Sequence, residues 1–374
     1  VVSLPLAPVL PLVLTFGQGS SPAATCVSYD IYTNTITVAC NSNLSSIYQI
    51  VNDKSVLEKD AHGVWILNAI IKVNPQAKLT IDRTDTSWLK ITNKILQESQ
   101  PNFISISGNA KIDGVKITSW DPFSDSVIRQ NVKGSIPRPY IMITKGAGTV
   151  NVSNSEIASL GYNSFPSNGF SYSTGGNGSS IINNTFHDMW DGFYSDHVGF
   201  ITIKNNKYYN NLRYGIDPHT GSHDLSIIGN LAYNNSAIGI ICSENCYNIL
   251  FNSNTVHNNG LAGLMFSRDT NNSTAEKNYA YNEKIGISIF SSSNDKVHNN
   301  LLKSTIRAIY IGGSSSGNHV HNNTVVNATV GIYFADIHPK NNVLENNNLN
   351  NITYPTMIIG TNNIGRNNVV VYNK

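Results

Sequence analysis

The chain has 374 residues, 13 % of them charged, with a formal net charge of +2 at neutral pH. So few charges exclude a nucleic-acid binder that relies on a broad basic surface, and the absence of any apolar run of 18 residues excludes a transmembrane helix. Asn is the most telling residue, 53 of 374; it is a poor helix former and a good turn former, so with 28 Gly and 40 % hydrophobic residues the composition predicts β-structure with many turns and not a disordered chain.

Residues 4–16 read LPLAPVLPLVLTF and are followed by small residues. Residues 1–25 are therefore expected to be a leader-like or disordered extension, and the leader reading implies a secreted, cell-surface or periplasm-like location. Cys26 and Cys40 flank SYDIYTNTITVA, two strands about a Thr-Asn turn, and an oxidising compartment favours a disulfide across such a hairpin. The stretch SSIYQIVNDKSVLEKD carries a helical pattern, and a solenoid needs its open end covered, so residues 26–60 are expected to form an N-terminal cap. Cys242 and Cys246 have no partner pair at zinc spacing.

Residues 61–374 are predicted to be one solenoid. The segments from GVWILNAIIKVNPQAKLTID to YIMITKGAGTVNVSNSEIASLGY read as wide coils with insertions. From Asp191 onward a period appears. Gly192, Gly215, Gly239, Gly263, Gly286, Ala308 and Gly331 recur every 22–24 residues, each after an Asn, an apolar residue and a polar turn and before a short β run. Several short strands in a repeat of this length make one coil of a parallel β-helix. A leucine-rich repeat is excluded because its regular Leu pattern is missing. Repeated Asn at the turns is expected to form amide ladders.

Stacking converts this register into a surface. Two residues after the small residue stand Tyr194, Asp217, Ile241, Met265 and Ser288; four after it stand Asp196, His219, Ser243, Ser267 and Phe290; five after it stand His197, Thr220, Glu244 and Arg268. The last two rows form a polar, ionisable strip across four coils, which suits a groove for a linear polymer. Within it lies Tyr214-Gly-Ile-Asp-Pro-His219. Asp217 and His219 share a strand face by the period of two, and a carboxylate beside an imidazole fixes its tautomer and raises its basicity. Pro218 donates no ladder hydrogen bond and is expected to break the strand edge.

The pieces KITSWD, SEIASLGY, DGFYS, YGIDPH, GIICS and NNGLAGLMFSRDTNN, in this order between about Ile112 and Asp336, resemble the mannuronan (alginate) C5-epimerase family in its AlgG-like branch. The resemblance implies a right-handed parallel β-helix acting on a polyuronate, with His219 as the base that removes the C5 proton and Asp217 and Tyr214 in the same site. Two departures stand out. The family reads DPHD where this chain has Thr220 after His219. The family also has a carboxylate-neutralising Arg one coil on, where register places Glu244. Arg268, Lys145 and Arg138 are the cations that other coils offer as replacements, and Tyr194, Asp196 and Glu244 complete the expected substrate-binding set. The calcium-binding nonapeptide array of the secreted modular epimerases is absent.

The C5 hydrogen of a uronic acid lies α to a carboxylate, so its removal needs a positioned base and a screened carboxylate. Reprotonation on the opposite face gives epimerisation; expulsion of the 4-linked sugar gives β-elimination. The sequence therefore supports a polyuronate C5-epimerase first, a polysaccharide lyase on the same scaffold second, and a non-catalytic glycan-binding surface protein third, with Glu244 favouring the last. No cofactor or metal is expected, the partner is an anionic linear polysaccharide, and the chain is expected to act as a monomer.

Overall fold

Short runs that alternate apolar and polar residues, interrupted every few residues by Asn, Gly or Ser in the left-handed region, bury only one face per strand. Coiling stacks those faces on one axis. The computed structural model describes residues 26–93, 101–354 and 360–372, and the leader-like extension expected over 1–25 lies outside them. The chain is an all-β, right-handed parallel β-helix. Its described residues build three long sheets of 13, 13 and 14 strands, each coil adding one strand to each sheet. Inward side chains such as Ile216, Ile240, Leu264 and Ile287 are fully or almost fully buried and form a continuous core.

The first sheet opens with an antiparallel hairpin, β1 (Val27–Asp30) and β2 (Thr35–Val38), closed by a Cys26–Cys40 disulfide as its sequence suggested. The helix is shorter than the sequence pattern. It spans only Leu44–Val51, starting in a capping box between Asn43 and Ser46 and ending at Asn52 in the left-handed conformation. Leu44 and Ile47 are its buried residues, and Tyr48 packs edge-on against Trp65 at 5.8 Å.

Coil length separates two parts of the solenoid. Equivalent positions Ile71, Ile104, Ile141 and Phe170 are 33, 37 and 29 residues apart, the wide coils the sequence predicted. Phe193, Ile216, Ile240 and Leu264 are 23, 24 and 24 apart. The regular coils are held at their corners by Asn ladders. Asn206 illustrates one rung: its backbone N–H and its side-chain amide both donate to Asn230 Oδ1 at 3.0 Å, and the amide also donates to the Ile181 carbonyl at 2.8 Å. The residue before each ladder Asn adopts positive φ, as Asn183, Asn205 and Asn299 do, which Asn tolerates better than most side chains. The predicted glycine column is also present. A Cβ on Gly215 would lie 2.4 Å from the Gly239 carbonyl oxygen, so the coil below occupies the space a side chain would need.

Candidate active site

The site lies on the outer face of the first sheet, where Asp191–Asp196, Tyr214–His219, Ile238–Ser243 and Ala262–Ser267 are consecutive parallel strands. Register pairs Tyr194 with Asp217 and Asp196 with His219, then His219 with Ser243 and Ser243 with Ser267. The rows read from sequence are thus real columns. Beside them runs the turn that leaves the sheet, where His197, Thr220, Glu244 and Arg268 all have positive φ.

His219 is half-buried. Its Nδ1 lies 2.6 Å from Thr220 Oγ1 and 3.7 Å from Glu244 Oε2. The Tyr194 ring packs against it at 5.5 Å, and Phe165 leans edge-on against Tyr194 at 6.4 Å. Burial pushes the imidazole below its ordinary range; Glu244 opposes that shift, and Arg268 and Arg213 reinforce it. The ring is therefore held neutral near neutral pH, the form a base requires.

Asp217 does not make the bond to His219 that the spacing suggested. It is fully buried, and its Oδ2 pairs with Arg213 at 3.3 Å. Arg213 also grips Asp191, fully buried one coil earlier, through Nε–Oδ1 at 2.9 Å and Nη2–Oδ2 at 2.6 Å. Two buried carboxylates thus share one guanidinium, which cannot neutralise both. Burial, reinforced by Asp191, holds the Asp217 carboxyl well above the usual carboxylate range, and burial also raises Asp191. Asp217 Oδ1 has no hydrogen-bond partner among the described residues. The Arg213 guanidinium sits 4.6 Å from the Tyr214 ring. Burial, and next Asp217, raise the Tyr214 phenol, and the same two causes raise Tyr194, so both stay protonated.

Pro218 lies inside the sheet, buried and paired with Ser195, and not at a strand edge. The ladder to the next coil skips Asp217 and Pro218, resuming at His219, and the Cys246 thiol donates to the Pro218 carbonyl at 3.5 Å. Cys242 and Cys246 are free and buried.

The cations divide sharply. Arg138 does not face the groove. It is 1 % exposed, and its guanidinium donates to the carbonyls of Gly161, Leu160, Asp188 and Ile128, so it braces the 121–139 insertion and has no free edge for a substrate. Burial lowers it to about 10. Lys145 is exposed on the turn after Tyr140–Ile143; register places it in the turn column three coils before Thr220, roughly 14 Å away by strand spacing. Arg268 reaches Glu244 Oε1 at 2.8 Å with half its side chain exposed, so Glu244 is a paired carboxylate and not a bare repelling charge. Asp196 is held by His197 at 2.5 Å.

Sequence reasoning missed Arg213 and Asp191. The available signal was positional: Asp191 is the acid in the column of Tyr214, Ile238, Ala262 and Ile285, and Arg213 directly precedes the strand of the motif.

Among the described residues no three His, Cys, Asp or Glu side chains gather as a metal site, and no helix is long and apolar enough to cross a membrane. The first observation bears on one of two family profiles that match the chain. The right handed beta helix region matches residues 220–374, and the periplasmic copper-binding protein (NosD) family matches residues 104–279. The described His, Cys, Asp and Glu side chains do not fit a copper centre. The mannuronan C5-epimerase of Pseudomonas aeruginosa is 29 % identical over 187 residues, 47 % of this chain and 33 % of that protein. The Pseudomonas fluorescens mannuronan C5-epimerase is 30 % identical over 192 residues, 47 % of this chain and 34 % of that protein. The matched stretch thus spans about a third of the length of these curated relatives. The crystal structure of the periplasmic alginate epimerase AlgG superimposes with a TM-score of 0.81 at 22 % identity, covering 90 % of this chain and 85 % of that one. The chain therefore shares the AlgG fold and is similar in sequence, over nearly half its length, to the mannuronan C5-epimerases.

Proposed function

We propose that this protein is a polyuronate C5-epimerase, converting mannuronate to guluronate residues in an alginate-like polymer in a secreted or periplasm-like compartment. One observation carries the reading: His219 Nδ1 lies 2.6 Å from Thr220 Oγ1 while its Nε2 makes no hydrogen bond among the described residues, and burial pushes the imidazole below its ordinary range. A base with one free nitrogen thus stands on the outer face of the first sheet beside Tyr194.

In this reading Nε2 removes the C5 proton. The C–H electron pair passes into the adjoining carboxylate, which gains dianion character. Arg268 screens that carboxylate with the donors Glu244 leaves free, and a pre-placed charge of this kind stabilises the developing one at no cost of reorganisation; Asp217, fully buried, supports the site from beneath by holding Arg213. Tyr194 and Asp196 border the sugar. Tyr214, at the other end of the same strand, returns a proton to the opposite face. Its Cα and that of His219 are roughly 16 Å apart by strand rise, room for one pyranose ring between the two side chains.

Proton NMR of polymannuronate digested in heavy water tests this. The expected result is new guluronate signals with deuterium at C5, lost about 10²–10⁴-fold in His219→Gln. In Tyr214→Phe, C5 exchange is expected to outlast inversion. Unsaturated chain ends would mean a lyase, and an unchanged polymer that still binds would mean a glycan-binding protein.

A further inference from the structure

His219 is oriented by a carboxylate, but not by the one in its own motif. Asp217 points to Arg213. On the other side, Thr220 Oγ1 is 2.6 Å from His219 Nδ1 and 3.5 Å from Glu244 Oε2, and the second Glu244 oxygen is held by Arg268 at 2.8 Å. An ionised carboxylate only accepts hydrogen bonds. The Thr220 proton therefore points to Glu244, and the Thr220 lone pairs point to the imidazole. A hydroxyl that accepts at Nδ1 requires a proton on Nδ1, and so the other nitrogen of the neutral ring carries the lone pair.

We propose that Glu244 is a positioning residue for His219: acting through the Thr220 hydroxyl from the neighbouring coil, and itself fixed by Arg268, it sets the Nδ1–H tautomer that leaves Nε2 as the base. This rests on the epimerase reading for its consequence but not for its geometry. When Nε2 takes the C5 proton, the imidazolium keeps both N–H groups, and the Nδ1–H stays directed at Thr220 with the Glu244 charge behind it. The other groups facing His219 are Tyr194 and Asp196 from the preceding coil, Arg213 and Asp217 from its own, and Arg268 two coils on. Among the described residues none of these stands at hydrogen-bond distance from a ring nitrogen of His219, whereas Thr220 does.

Three substitutions separate the parts: Thr220→Val removes the hydroxyl at constant shape, Thr220→Ser keeps it, and Glu244→Gln removes the charge. Nitrogen-15 NMR of the folded protein at alkaline pH reads the tautomer without reference to activity. The wild type and Thr220→Ser are expected to show the Nδ1–H form, and Thr220→Val a shift toward Nε2–H. Turnover is expected to fall about 10–100-fold in Thr220→Val with KM little changed, as for a group acting on the base and not on substrate, and to recover in Thr220→Ser. In Glu244→Gln the acid limb of the kcat/KM profile is expected to move to lower pH, because the carboxylate that opposes the lowering of the imidazole is gone. An Nε2–H tautomer in the wild type would overturn the proposal. So would a Thr220→Val protein with unchanged tautomer. A correct tautomer in a protein that exchanges no C5 proton would sustain the relay and overturn the epimerase reading instead.

Discussion

His219 is flanked by two arginine–carboxylate groups built to opposite plans. On one side Arg213 is gripped by Asp191 and Asp217, both without solvent exposure; on the other, Arg268 meets Glu244 with about half of one side chain and a third of the other in water. The buried group has more negative than positive charge and relieves the excess by holding a proton. The exposed group is balanced and keeps donors to spare. A buried ion cluster fixes geometry at a steep desolvation cost, whereas an exposed pair adds little stability but leaves charge that an anionic polymer can recruit. The site thus uses one arginine as framework and the other as contact.

The comparison breaks most visibly at Arg213. Arg213→Ala strands two buried carboxylates and is expected to destabilise the fold by about 3–5 kcal/mol, read as a large drop in melting temperature. Arg213→Lys is expected to rescue only part of it, since a point charge does not reproduce the fork on Asp191. Arg268→Ala is expected to do the reverse: stability changes by under about 1 kcal/mol, while affinity for polymannuronate falls about tenfold and its salt dependence weakens. Lys145→Ala, three coils away, is expected to have the smaller effect on affinity; a larger one would move the reacting sugar toward the N-terminal coils.

The smallest effect sharpens the protonation argument. Asp217 has a folded pKa above its unfolded one, so the wild type loses stability as pH climbs from the unfolded value toward the folded one. Asp217→Asn removes that loss. Its melting temperature is expected to exceed the wild type's at pH 8 and to converge with it near pH 4, with activity reduced throughout. A steeper pH dependence in the variant would show that Asp217 is ionised in the native state.

Much of this was legible in the residues themselves. The 22–24 spacing gave the coils, and a small residue counted from each turn gave the columns that carry Tyr194, Asp217, His219 and Arg268. Pairing across columns was not legible. Whether Asp217 meets His219 or Arg213 depends on side-chain direction, which alternation along a strand does not specify. Arg138 was misassigned because its exposure is set by the 121–139 insertion folding over it, a contact with no period. Glu244 read as a repelling charge until Arg268, one coil on, was placed beside it.

The Asn ladder has a consequence for how such a groove changes length. Each rung needs only another Asn one coil above and one coil below, as Asn206, Asn230, Asn254 and Asn278 show. A coil copied into this stretch arrives with its own connector and leaves both neighbours satisfied, whereas a copy among the 29- to 37-residue coils would not. The motif strand lies just inside the interchangeable part. Track length after the motif strand is therefore free to grow or shrink by whole coils, while the irregular coils that precede it hold a fixed length.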